Sequence, residues 1–584
     1  MGHPELASIF AEIADILEIL QEDPFRINSY RRASRVLAET TADVAALAAE
    51  KALTTIAGVG KSTAAKIEEY LATGQIAMHQ ELRAKVPPGL LELMVVQGLG
   101  PKTASKLWRE LNIQSLADLK SALNEHPAQV EALPGLGPKK VASLKEALAH
   151  AETAVGRVRI DEGWRLARLL IEAVSRCPSA GKLEAAGSLR RWRETIGDID
   201  IACQGDPENS GPIMDAFAAA PGVLSVLVKG KTKTSVLTQA QVQADLRVVP
   251  EASYGAALQY FTGSKAHNVK LREIALKQKL RLNEYGLFKL TRTGEQGRQV
   301  AGADEPEIYR KLGLAWVAPE LREDRGELEA AREGRLPELL RPEQIRGDLH
   351  MHTVATDGTA TASQMADAAK RLGYQYIAIT DHSKSQPQTH GLNEPRLVEQ
   401  IELIRQVRRN IGDVHILTGI EVDILKDGGL DLSDEVLAEL DFVMASPHSG
   451  LTGKGPEATR RIIRAIEHPL VHAIGHPTGR IVNGRRGMEL DMPKIAQAAA
   501  ANGVALEINA NPSRLDLRDV HVKCAVEAGA KLCICTDAHE AAIPGELTLV
   551  NYGVATARRG WATVADVINA WPLDELTRWL RKKR

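Results

Sequence analysis

Seven short apolar runs stand between Gly347 and His539, separated by helix-like segments. They are Gly347-Asp-Leu-His350-Met-His352, Tyr376-Ile-Ala-Ile-Thr-Asp-His382, Ile416-Leu-Thr-Gly-Ile-Glu421, Phe442-Val-Met-Ala-Ser-Pro-His448, Val471-His-Ala-Ile-Gly-His476, Val504-Ala-Leu-Glu-Ile-Asn509 and Leu532-Cys-Ile-Cys-Thr-Asp537-Ala-His539. Parallel strands buried on both faces read as unbroken apolar runs. Folds of this kind carry their chemistry at the carboxyl ends of the strands. Nearly every run here delivers a metal-type ligand at that end. The pattern points to a hydrolase that uses several metal ions.

A chain of 584 residues is long enough for several domains. A hydrophobic share of 44% and a charged share of 25% are ordinary for a globular protein. No segment joins membrane-spanning length to freedom from charge. Met1 to Phe10 lacks a basic start followed by an apolar stretch, so secretion is not expected. The five cysteines, Cys177, Cys203, Cys524, Cys533 and Cys535, form neither a disulfide framework nor a zinc quartet. These features predict a cytoplasmic protein. The net charge of −2 does not announce a nucleic-acid binder, although basic residues gather at 229–233 and 265–281.

The first 150 residues read as all helix and contain a three-part repeat. Its members are Ile56-Ala-Gly58-Val-Gly60-Lys, Val96-Gln-Gly98-Leu-Gly100-Pro-Lys and Leu133-Pro-Gly135-Leu-Gly137-Pro-Lys. Amphipathic helices are expected after them at Ser62 to Leu71, Thr103 to Leu111 and Lys140 to Leu148. The glycines permit a tight turn, and the following helix start offers N–H groups to a phosphate. The repeats resemble helix-hairpin-helix motifs, which hold the DNA backbone without reading sequence.

Beyond residue 150 strand-like runs replace helix, at 184–188, 199–203, 223–229, 234–237 and 242–249, as in a mixed α+β domain. Asp198-Ile-Asp200 places two carboxylates on one face of a strand, and Asp245 can add a third from a neighbour. Such a cluster calls for cations. Oxygen ligands suit Mg²⁺. Gly187-Ser188-Leu-Arg190-Arg191 lies just upstream, and its amides, Ser188 and Arg191 suit a triphosphate. Together these residues match the nucleotidyltransferase pattern.

Tyr260-Phe-Thr-Gly-Ser264, Asn268, Arg272 and Leu282-Asn-Glu-Tyr285 narrow it: Glu5 to Trp316 resembles the family X DNA polymerases. The resemblance implies that Asp198, Asp200 and Asp245 hold two Mg²⁺ (or Mn²⁺), with Asp245 helping to activate the primer 3′ hydroxyl. It implies that Gly187, Ser188 and Arg191 hold the nucleotide phosphates. Tyr260, Phe261 and Gly263 would line the sugar pocket, and Asn268 and Arg272 would touch the nascent base pair and template side. Lys265, also in the nucleotide site, departs from the vertebrate repair pattern, which has an acidic residue there. The N-terminal helices resemble the family's 5′-phosphate-binding domain, with Tyr30 and Lys66 at positions used for deoxyribose-phosphate lyase chemistry. Ser62 departs from that pattern at a position often basic, and a surface or phosphate-contacting Lys66 is the alternative.

In the last part the ligand order is His350, His352, Asp357, His382, Glu421, His448, His476, Asp537 and His539. Imidazole and carboxylate donors suit Zn²⁺, Mn²⁺ or Fe²⁺. Nine donors suit about three ions sharing a bridging carboxylate, for which Glu421 is best placed. His390, His415, His468, His472 and His521 read as core, cap or surface residues. The set resembles the PHP (polymerase and histidinol phosphatase) superfamily, a distorted (β/α)₇ barrel binding three metals. The resemblance implies one ion on His350, His352, Glu421 and Asp537, a second on Glu421, His448 and His476, and a third on Asp357, His382 and His539. Such ions supply a hydroxide nucleophile near neutral pH and neutralise phosphate charge. Arg480, after His476-Pro-Thr-Gly, fits either a scissile-phosphate contact or a salt bridge.

The expected architecture is multidomain: a helical lyase-like domain with a helix-hairpin-helix (1–80), a fingers-type helix-hairpin-helix domain (81–150), a nucleotidyltransferase palm (151–250), a nucleotide- and base-pair-binding subdomain (251–318), a linker (319–345) and a PHP phosphoesterase domain (346–575). The whole order resembles bacterial and archaeal family X polymerases with a C-terminal PHP domain. That implies gap filling on gapped or primer–template DNA with dNTPs, in base excision repair beside enzymes such as a ligase. It implies 3′→5′ exonuclease action, with AP endonuclease or 3′-phosphodiesterase activity as possible additions. A monomer without membrane contact is expected. The competing assignment is a DNA-binding scaffold whose PHP domain is structural or a small-molecule phosphatase. Terminal transfer would need an insertion on the template side, and none is evident.

Overall fold

The computed structural model describes residues 4–39, 44–56, 58–96, 99–138, 140–142, 144–145, 157–453, 455–541 and 549–581. They divide into two units, one of 1–156 with 222–243 and one of 157–221 with 244–584.

In the first unit, Leu6, Phe10, Ile13 and Leu17 recur at helical spacing along Pro4–Ile19, and all are buried. The helix packs beside Pro24–Glu39, where Ile27, Tyr30 and Leu37 face the same core. The expected repeat helices run as Lys61–Thr73 and Pro101–Leu111. Gly60 and Gly100 cap them, so no side chain covers their first-turn amides. Gly58 has φ +98°, open to glycine at little cost, and a Cβ there would meet Arg32 at 3.0 Å. Gly98 and the third repeat helix beyond residue 145 lie outside the described residues, as does the expected boundary at 150. Val223–Lys229 and Lys233–Thr238 form an antiparallel hairpin.

The second unit opens with the helix Ile160–Ser175, followed by the strands Leu183–Ala185 and Asp198–Gln204, paired antiparallel with Ala185 opposite Ile201. Gln243–Val249 alternates buried and half-buried residues, as expected of a strand with one face in the core. Two helices follow, Tyr254–Thr262 and Lys265–Lys277, then a three-stranded antiparallel sheet of Leu280–Asn283, Gly286–Leu290 and Gln296–Ala301.

The 319–345 stretch, expected as a linker, is packed instead. Leu321, Leu328 and Ala331 join the core of this subdomain, and Leu340 joins the barrel core. Its charges gave it a linker's composition, but Arg322, Glu323 and Glu327 are buried against partners. Arg322 donates to Glu305 at 2.6 Å and to the Val317 carbonyl at 2.8 and 2.9 Å. Arg190 donates to both Glu305 oxygens at 2.9 and 3.1 Å. Burial opposes ionisation of Glu305, but the two guanidiniums outweigh it and hold the carboxyl at about 2. A carboxyl held below its ordinary 4.5 contributes stability above that pH and loses it as pH falls toward 2. Glu305→Gln is therefore expected to cost about 3–5 kcal/mol at pH 7. It should also flatten the acid limb of the stability profile, which denaturant titration across pH will show.

Beyond residue 346, seven strands pair parallel in chain order: Gly347–Asp348, Tyr376–Ile379, His415–Asp423, Phe442–Ser446, Ala473–Ile474, Ala505–Asn509 and Lys531–Cys535. A parallel bridge between Met351 and Ala538 links the first strand's end to the last one's, with His352 N–H donating to the Ala538 carbonyl at 2.8 Å. The ring is thus nearly closed. Ile420, Val422, Val443, Ile474, Leu506 and Ile534 are all buried. Among the described residues no helix is long and apolar enough to cross a membrane.

Candidate active sites

Asp198 and Asp200 flank the buried Ile199 on one strand, and Asp245 lies on Gln243–Val249. Burial raises Asp198 above the ordinary aspartate range, and the nearby charge of Asp245 raises it further. Asp198 and Asp245 therefore share one field. Like charges hold apart unless cations join them, so the donor set fits hard divalent ions.

Gly187 opens the short helix Gly187–Arg190 at φ +60°, and a Cβ there would stand 2.8 Å from an Asp200 carboxylate oxygen. Only glycine lets this turn pass so close to the carboxylates. The Ser188 hydroxyl is buried without a hydrogen-bond partner, a polar atom awaiting a ligand. Arg191 Nε donates to Glu323 at 3.0 Å, and a second nitrogen donates to the Thr262 carbonyl. Tyr260 and Phe261 meet edge to face at 5.3 Å, with Arg247 over the Phe261 ring. Gly263 has φ +71° and lies against Arg191. Asn268 is nearly buried; it donates to the Tyr260 carbonyl and accepts from Gln259, both at 2.7 Å. Lys265 is exposed and Arg272 half-buried, on the same helix.

Tyr30 is buried and its ring lies 5.8 Å from the Lys66 ammonium. Lys66 is half-exposed and donates to the Ser62 hydroxyl at 3.2 Å. A Schiff-base lysine needs desolvation or adjacent cations, and this amine has a hydroxyl and an aromatic face instead. Borohydride trapping on a 5′-deoxyribose-phosphate substrate is accordingly expected to leave Lys66 unlabelled; a Lys66 adduct would overturn this.

At the barrel mouth all nine expected ligands converge. Three sets of donor atoms gather within 4.8 Å: His352, Asp357, His382 and His539; His350, His352 and Asp537; and His382, Glu421 and His448. His476 Nε2 lies 2.9 Å from Glu421. The grouping differs from the expected one in that His352 and His382 each stand in two sets. Glu421 is central, within 3.7 Å of five imidazoles. Both its oxygens are buried without a hydrogen bond, as are His350 Nε2, His352 Nδ1, His382 Nδ1 and His476 Nδ1. His382 Nδ1 approaches Glu421 to 2.7 Å without hydrogen-bond geometry. Orphaned lone pairs facing one space are what metal ions satisfy, and the residues fit such ions.

Sequence reasoning missed the groups that aim these ligands. Glu507, fully buried, accepts from His350 Nδ1 at 2.7 Å, and Asp423 accepts from His448 Nδ1 at 2.7 Å. Each carboxylate fixes a tautomer and turns the Nε2 lone pair inward. Asn509, the end of the sixth run, donates to Asp537 at 3.1 Å, and Arg514 lies 3.5 Å from the same carboxylate. The available signal was position: Asp423 stands two residues beyond Glu421, on the same strand face. Arg480 is a salt bridge. It donates to Glu194 at 2.6 Å and to the Arg514 carbonyl at 2.8 Å, which uses its guanidinium away from the metal-type ligands.

Four family models match the chain: a helix-hairpin-helix domain over 1–76, a SAM-like helix-hairpin-helix tandem over 90–149, the DNA polymerase beta thumb over 257–323 and the PHP domain over 348–511. A Bacillus subtilis protein named DNA polymerase/3′-5′ exonuclease PolX is 35% identical over 584 residues, all of both chains. The chain belongs to the family X DNA polymerases with a C-terminal PHP domain. Other relatives of this family X chain match a shorter part of it. A "probable phosphatase" of Acetivibrio thermocellus is 33% identical over 28% of the chain and 64% of its own length. The "probable phosphatase YcdX" of Escherichia coli is 33% identical over 34% of the chain and 80% of its own length. The polymerase and PHP domains of the family imply divalent metals.

Proposed function

We propose that this chain fills short gaps in DNA by template-directed dNTP addition and trims 3′ ends through its barrel. The observation that carries both halves is full-length likeness to a polymerase/3′-5′ exonuclease in a chain that keeps two separate acidic or histidine-rich centres. We assign the palm to 151–250, the base-pair-binding subdomain to 251–318 and the phosphoesterase to 346–575.

In the polymerase site, Asp198, Asp200 and Asp245 would hold two Mg²⁺ or Mn²⁺ ions, which would supply positive charge to phosphoryl transfer. The Ser188 hydroxyl and the amides of the Gly187 turn receive the nucleotide phosphates, and Arg191 supplies the countercharge. Asp245 draws the proton from the primer 3′ hydroxyl. Tyr260, Phe261 and Gly263 bound the sugar, while Lys265, Asn268 and Arg272 lie along one helix toward the base pair. The capped turns at Gly58, Gly60, Gly100, Gly135 and Gly137 hold backbone phosphates, together with Gly98.

In the barrel, the nine ligands hold about three Zn²⁺, Mn²⁺ or Fe²⁺ ions. Glu507 and Asp423 keep His350 and His448 oriented, and Glu421 sits between the sets. Arg514 beside Asp537 adds positive charge where a phosphate approaches. The setting is base excision repair, beside a ligase, with the chain acting as a monomer in the nucleoid. The phosphatase names of the PHP relatives favour a second reading, hydrolysis of small phosphomonoesters.

A gapped duplex with a labelled primer tests the proposal. With dNTPs and Mg²⁺ the wild-type chain lengthens the primer; with Mn²⁺ and no dNTP it shortens it from the 3′ end. A chain that does neither but hydrolyses a small phosphomonoester supports the second reading.

A further inference from the structure

A polar pocket lies behind the nucleotide-binding turn, where the palm meets the barrel domain. Arg193 and Glu194 enter it three and four residues after the Gly187–Arg190 helix. Arg518, Asp519 and Arg559 enter it from the barrel side, around a small, partly open space. Neither the polymerase chemistry nor the metal cluster uses these residues.

Its charges do not balance. Glu194 is taken by Arg480 at 2.6 Å. Asp519 is taken by Arg559 at 2.5 Å and by Arg325 at 3.0 Å. Glu323, next to the pocket, is shared by Arg191 and Arg559, both at 3.0 Å. Asp516 faces Arg480 and accepts from the Thr478 amide. These four carboxylates face other guanidiniums, and Arg193 and Arg518 are left with the weakest pairing. Arg193 reaches Glu323 only at 3.9 Å. Arg518 Nε is buried without a hydrogen-bond partner, and Glu194 and Asp519 act on Arg518 from beyond ion-pair distance among the described residues. Burial lowers Arg518 from the ordinary guanidinium range although Glu194 and Asp519 oppose it, a sign of charge incompletely compensated. Arg559, 3% exposed, lines the same space.

A guanidinium nitrogen buried without a partner is destabilising by itself. It is tolerable where an anion completes it, and the planar fork of arginine matches phosphate oxygens. We propose that this pocket is a binding site for a phosphate-bearing anion, held by Arg518 and Arg193. Two sources share this chemistry: a backbone phosphate of bound DNA, and free phosphate or pyrophosphate.

The test uses the intact chain in EDTA, which silences the metal-dependent phosphate sites, with inorganic phosphate as probe and chloride at matched ionic strength as control. Phosphate should raise the unfolding temperature saturably above the chloride control. Arg518→Gln should weaken that response at least fivefold while leaving the phosphate-free unfolding temperature equal or higher, since it removes an incompletely compensated charge. Arg193→Gln should weaken the response similarly, and it decides the matter if Arg518→Gln does not fold. In a second arm, gapped-duplex affinity is followed against salt. A slope smaller by about one in Arg518→Gln assigns the site to a DNA phosphate; an unchanged slope with a lost phosphate response assigns it to free phosphate. Wild-type phosphate response in both variants would overturn the site. So would an Arg518→Gln chain destabilised in phosphate-free buffer with its phosphate response intact, which marks a purely structural arginine.

Discussion

Alanine at both Asp198 and Asp200 removes primer extension on gapped DNA and leaves 3′ digestion at the wild-type rate. Extension should fall by at least about 10³-fold, the rate equivalent of roughly 4 kcal/mol of transition-state stabilisation. The two side chains leave a strand whose inward residues, Ile199 and Ile201, are fully packed, so the sheet should persist. Asp200 also stands against the Gly187 turn, 2.8 Å from where a Cβ would lie. Loss of nucleotide affinity should therefore accompany loss of rate. A gel of primer length against time, with and without dNTP, separates the two activities. Digestion that fell with extension would mean that both activities depend on these aspartates.

Substitution of Asp537 has the converse effect: 3′ digestion falls by about 10³-fold or more while extension persists. Asp537 lies 3.1 Å from His352 Nε2, 3.5 Å from His350 Nε2 and 3.5 Å from Arg514 Nε. Its backbone has φ +54°, which asparagine tolerates better than alanine. Asp537→Asn thus removes the charge with less backbone strain, and Asp537→Ala adds strain to the same loss. Bound metal should fall in both variants, measurable by elemental analysis of the dialysed chain. Wild-type digestion in Asp537→Asn would remove the exonuclease from the barrel.

The barrel ligands were legible because strand ends are also sequence landmarks: an apolar run followed by His382 or Glu421 marks both the fold and the ligand. The orienting carboxylates were not, since Glu507 owes its role to His350, 157 positions away in the chain. Arg480 was equally illegible, because its partner Glu194 belongs to the palm. The 319–345 stretch read as a linker from its charged composition, and the countercharges that pack Arg322 and Glu323, on Glu305, Arg191 and Arg559, are distant in sequence. The polymerase aspartates were legible as a pattern, and the field that Asp245 exerts on Asp198 brings two of them together from separate strands.

Trans-complementation tests most directly whether two independent phosphoryl centres serve one DNA end. A gapped duplex whose primer carries a mismatched 3′ nucleotide is incubated with dNTPs and an equimolar mixture of the Asp198→Ala/Asp200→Ala chain and the Asp537→Asn chain. The account predicts that the mixture trims the mismatch and fills the gap, which neither variant achieves alone. A mixture that trims and fills no better than the separate variants would contradict it.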